Sequence, residues 1–280
     1  MLFFYLLYSL EILKKIVDFY INSSIHVALS VYALTRLTGC LFEIELIESV
    51  SSFAFFGTIV GYNFVKYDAL ARSQKLEMRL ELKAIAVLSF FSLLMAVYCF
   101  FWLERNTQFI ASVFLGITLL YTLPFFPNRK NARNWAGIKI YIVALCWVGV
   151  TLFLPIINTN LPFNHYVFLV AAQRFILIFV LILIFEIIDL GLDDPHLKTV
   201  PQQIGVTKTK RVGVVLMVLF VLLEFLSTDF RLEFFALKLA LALTTILFLL
   251  FSNENRSRYY ASFWVESIPI FWWLFLVIFG

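Results

Sequence analysis

Charge is what this chain has least of. Only 14% of its 280 residues are Asp, Glu, Lys or Arg, where a soluble domain carries about a quarter. Hydrophobic residues make up 62%. A water-soluble globular domain is excluded, and the small net charge of +4 gives no reason to expect nucleic acid as a partner. Cysteine is scarce too. Cys40, Cys99 and Cys146 are odd in number, scattered, and set within or beside apolar runs, so a disulfide framework or a thiolate metal site is excluded and packing is their expected role. The pattern of a cleaved signal is also missing. The first apolar run, Leu2 to Leu13, is short, and Lys14 and Lys15 follow it instead of preceding it. Residues 1–21 read as an amphipathic segment lying at a membrane interface.

What the chain does have is long apolar stretches. Nine runs, at 23–42, 48–66, 83–103, 107–126, 138–157, 164–188, 211–227, 232–251 and 260–279, each approach the ~20 residues that cross a bilayer as a helix. The expected fold is all-α: a polytopic membrane protein with nine transmembrane helices, residues 22–280 forming one membrane domain. Basic residues set the orientation. With the N-terminus in the cytosol, only Arg105 and Arg231 lie on the outer side. Arg36, Arg174 and Lys238 lie inside spans, and the other seventeen of the 22 lysines and arginines fall on the inner side. The C-terminus is then outside, and the expected location is the cytoplasmic membrane.

One polar cluster stands out at the inner end of the sixth run. Glu186, Asp189 and Asp193 follow one another at i, i+3 and i+7. On a continuous helix they share one face, within about 60° of each other. Clustered acids at a membrane boundary repel unless a cation binds them. The pattern therefore asks for a divalent metal and, through it, a phosphate-bearing ligand. Downstream come Lys198, Thr199, Val200, Pro201 and Gly205. A second polar stretch, Asn63-Phe-Val-Lys66-Tyr67-Asp68, ends the second run on the same membrane side.

These two stretches, four helices apart, resemble the aspartate-rich motifs of the UbiA superfamily of intramembrane prenyltransferases. Glu186, Asp189 and Asp193 match the acidic part of the second motif, and Thr199, Pro201 and Gly205 resemble its Thr-Leu-Pro-like segment and glycine, with Val200 in place of leucine. In the first motif Asn63 matches the opening asparagine. The acid positions after it hold Phe64, Tyr67 and Ala71, while Asp68 comes one residue late. The resemblance implies nine helices around a central cavity, with both motifs on the cytosolic side. It implies Mg²⁺ held by Glu186, Asp189, Asp193 and Asn63, with Asp189 and Asp193 catalytic. It further implies that Lys66, Asp68, Arg133, Lys139 and Lys198 meet the diphosphate of a prenyl donor. The reaction implied is alkyl transfer from a prenyl diphosphate to a lipophilic acceptor within the membrane.

Two other readings stay open on the sequence. The chain could keep this fold as a non-catalytic lipid-binding or partner protein. It could also be a small transporter whose path is lined by Arg174, Lys238 and Glu266, since intramembrane charges of this kind ask for a function. Pairing of Arg174 with Glu224 or Glu266 is one expectation for these charges. His26 is expected to be a hydrogen-bonded helix residue.

Overall fold

The computed structural model describes residues 2–73, 80–122, 137, 139–193, 197–227 and 230–279, without the side chains of residues 2–10, 68–73, 118–122 and 279. Every regular element among them is helical: α1 (Leu2–Asn22), α2 (Ile25–Leu41), α3 (Glu48–Ser73), α4 (Leu80–Phe101), α5 (Arg105–Thr122), α6 (Lys139–Val148), α7 (Leu154–Asn158), α8 (His165–Ile188), α9 (Val200–Ile204), α10 (Val206–Leu222), α11 (Leu232–Phe251) and α12 (Ile268–Phe279). A helical stretch lies at each of the nine apolar runs. Among the described residues, five are long and apolar enough to cross a membrane: Leu80–Phe101, Lys139–Asn158, His165–Gly191, Leu232–Phe251 and Tyr260–Ile278. A sixth, Glu11–Asn22 followed by Ile25–Leu41, passes only as a pair bent by 57°. The protein is an integral membrane protein.

Burial separates the helices. The apolar stretch of α8 is 72% buried inside the protein and that of α4 only 22%. α8 is therefore the core element, packed on α6, α10 and α11, while α4 turns most of its surface to lipid and packs on α3. α2 bridges the two sides, against α3 on one flank and α12 on the other. The main core joins Leu34 and Leu37 of α2, Leu177 and Ile184 of α8, Phe220 of α10 and Leu249 of α11.

Two of the described spans carry a π turn, each a few residues before a proline. A proline has no N–H and its ring crowds the carbonyl four residues before it. Pro155 opens α7, so the carbonyl of Thr151 loses its helical partner. The chain there widens into a π turn, Gly149–Phe153. Thr38 Oγ1 donates to that carbonyl at 2.6 Å and Arg174 Nη1 at 2.7 Å. Pro269, at the start of α12, follows a second π turn, Tyr260–Val265. Here the imidazole of His26 lies 2.8 Å from the carbonyl of Phe263, and the Ser30 hydroxyl donates to the carbonyl of Glu266. Inside a bilayer no water would meet these carbonyls. The polar side chains of α2 meet both sets, as expected for His26.

Candidate functional site

α8 stays α-helical only to Ile188. Asp189–Gly191 form a 3₁₀ turn, and the N–H groups of Leu192 and Asp193 both donate to the Asp189 carbonyl, at 2.8 and 2.9 Å. The expectation of three acids on one continuous helix face is corrected here. Gly191, a poor helix former, sits where the helix tightens and ends. The acids still meet. Asp193 acts electrostatically on both Glu186 and Asp189, and so does Lys139 at the start of α6. Asp189, Asp193 and Lys139 are half-buried, Glu186 is buried, and Lys198 is exposed.

Glu186 has a second task. Its Oε2 accepts the backbone N–H of Val200 at 3.0 Å, which fixes the first turn of α9. That turn closes on itself: the Thr199 N–H donates to Gln202 Oε1 at 3.0 Å, the glutamine half of a capping box. Lys198 just before it has a φ of +47° and Gly205 just after it a φ of +81°. The Thr199-Val200-Pro201 segment is thus carried by a buried carboxylate, and the acids and the tail of the motif form one unit. The pattern T-V-P-Q carried the capping signal in the sequence; the tie to Glu186 is tertiary and had none.

The other expected residues are placed as follows. Asn63 is buried, with Nδ2 donating to the Ser23 carbonyl at 3.0 Å and to Ser89 Oγ at 2.9 Å. Lys66 Nζ donates to Ser24 Oγ at 3.0 Å. These contacts join Asn63 and Lys66 to the break between α1 and α2 and not to the acid cluster. α3 runs on to Ser73, so Asp68 stays about 140° round the helix from Asn63; its side chain lies outside the described residues, as does Arg133 entirely.

The residues present can be tested against a divalent ion. Among the described residues no three His, Cys, Asp or Glu side chains converge into a metal cage. Magnesium rarely needs one. It keeps several waters and takes one or two carboxylates plus substrate phosphates. Asp189 and Asp193, half-buried and within electrostatic reach of each other, fit that demand.

The intramembrane cations all have partners. Lys238 is paired with Glu224, and Gln173 bridges the two, its Oε1 3.1 Å from Lys238 Nζ and its Nε2 3.0 Å from Glu224 Oε2. Arg36 Nη1 meets Glu48 Oε2 at 3.0 Å. The expected pairing of Arg174 with a glutamate is corrected: its Nη1 donates to Leu34, Thr38 and Thr151 oxygens, because the proline-freed carbonyl is there and Glu224 belongs to Lys238.

One solved structure covers nearly the whole molecule. It comes from work on digeranylgeranylglyceryl phosphate synthase in membranes and superposes with a TM-score of 0.57 over 95% of this chain and 98% of that chain, at 16% sequence identity. The likeness is one of fold: an all-helical membrane bundle shared along nearly the whole length of both chains. No family model and no curated protein matches the sequence.

Proposed function

We propose that this chain is a UbiA-type intramembrane prenyltransferase. It would take a prenyl diphosphate donor and a lipophilic acceptor, with Mg²⁺ as cofactor. The observation that carries this reading is the pair Asp189 and Asp193, placed with Lys139 at the end of the core helix in a fold shared with a membrane prenyl-transfer synthase. All nine helical stretches act as spans around a central cavity. The acid cluster faces the cytosol, the N-terminus is inside, and residues 1–21 lie along the interface.

In this arrangement Asp189 and Asp193 would hold the ion. A bound Mg²⁺ supplies positive charge to a departing diphosphate. Lys139, Lys198 and Arg133 add cationic contacts to phosphate oxygens. Glu186 keeps the Val200 turn closed behind them. The apolar walls contributed by α8 and its neighbours exclude the water that would otherwise compete with the acceptor.

Binding tests the reading without needing the acceptor. A non-hydrolysable prenyl thiolodiphosphate should raise the melting temperature of the detergent-solubilised protein only when Mg²⁺ is present. Asp189→Asn should weaken that binding by about tenfold or more. Equal stabilisation without Mg²⁺, or in the Asn variant, would contradict the assignment.

A further inference from the structure

The two halves of the expected site differ in kind. Asn63, Lys66 and Tyr67 stand at i, i+3 and i+4 on α3, hence on one face. That face grips three successive residues of another segment. Tyr67 donates its hydroxyl hydrogen to the Asn22 carbonyl at 2.9 Å, Asn63 donates to the Ser23 carbonyl at 3.0 Å, and Lys66 to Ser24 Oγ at 3.0 Å. Residues 22–24 are where the chain bends by 57° between α1 and α2, with Ser24 at a φ of +63°. A left-handed serine at a break is a strained conformation held only when its surroundings over-determine it. Three hydrogen bonds from one helix face do that.

A divalent ion would find little here. Of the three side chains, only Asn63 offers a buried oxygen with no partner, its Oδ1. One neutral amide oxygen, a single turn from an ammonium group, is a poor start for an ion that wants about six oxygens and favours carboxylates. Phe64, Tyr67 and Ala71 fill the positions where acids would complete the set.

We infer that the first half of the site is a metal-free clamp. Asn63, Lys66 and Tyr67 hold the α1–α2 break, and metal binding is confined to the acid cluster at the end of α8. The inference rests on the proposed metal role of that cluster. It gives Asn63 and Lys66 a positioning role in place of contact with metal or diphosphate.

Two measurements on the full-length protein test it. The first counts Mn²⁺ by electron paramagnetic resonance in the presence of inorganic diphosphate. Wild type, Asn63→Ala and Lys66→Met should bind the same number of ions, and Asp189→Asn/Asp193→Asn should lose them. A lower count in Asn63→Ala would make Asn63 a ligand and overturn the inference. The second reads the clamp directly. Spin labels at Leu13 and Glu254, both exposed, are placed in a background lacking Cys40, Cys99 and Cys146. Lys66→Met and Tyr67→Phe should each broaden or shift the distance distribution. An unchanged distribution in both single variants would overturn the clamp. If wild type binds no Mn²⁺, the acid-cluster reading fails while the distance measurement still decides the clamp.

Discussion

Lys238 and Glu224 are a buried ion pair, their side chains only 2% and 3% exposed. Removing one charge from such a pair costs about 3–5 kcal/mol, because the other is stranded in a low-dielectric interior, whereas removing both costs far less. Lys238→Met should therefore destabilise the folded protein by that amount, and Lys238→Met/Glu224→Gln should recover most of it. Unfolding in mixed micelles reads both. A double variant as unstable as the single would mean that the pair acts through packing and not through charge. The same logic shows what single residues reveal in a sequence. Arg36, Arg174 and Lys238 stood out as intramembrane cations, and their presence was legible. Their partners were not. Glu48 and Glu224 come from sequence separations of 12 and 14, and Thr38 and Thr151 from separations of 136 and 23. Lys238 has its partner inside the bundle, Arg36 meets the exposed Glu48, and Arg174 binds through Nη1 while its Nε and Nη2 stay buried without a partner among the described residues.

At the scale of elements, apolar run length placed some helices closely, while only five, or six with one bent pair, of the nine expected spans are long and apolar enough among the described residues. α11 covers 232–251, the predicted run. α8 covers 165–188, one residue from it. What run length cannot show is a local change of helical type. The π turns before Pro155 and Pro269 had a signal, the proline in an apolar stretch, and the hydroxyl-rich α2 had another; their meeting is a matter of packing. The acid register failed for a similar reason, since a helix wheel assumes a helix that continues, and this one tightens at Asp189. Gly205 shows how the loop beyond is held. Its φ of 81° and ψ of 156° lie in a region open essentially to glycine alone, although a methyl group there would meet no neighbour. Gly205→Ala should cost about 1–3 kcal/mol through backbone strain only, lowering the unfolding temperature without changing the core. A fully stable Gly205→Ala protein would show that the turn between α9 and α10 can relax without cost.

For the molecule as a whole, composition alone pointed to a membrane protein. Charge asymmetry, with only Arg105 and Arg231 expected on one side, set an expected direction. The fold likeness over 95% of the chain agrees with a family resemblance that rested on few residues. At 16% identity the likeness speaks for the fold, and the chemistry must be argued from the site. That argument comes down to Asp189 and Asp193 beside Lys139, backed by a loop that Glu186 holds in place. The most direct test is transfer itself. Proteoliposomes containing the protein, Mg²⁺ and a series of radiolabelled prenyl diphosphates are supplied with a membrane lipid extract as acceptor. The account predicts label passing into a lipid-soluble product for the wild-type protein and none above background for Asp189→Asn/Asp193→Asn. Transfer that survives in the double variant, or none from wild type at any donor length, would contradict it.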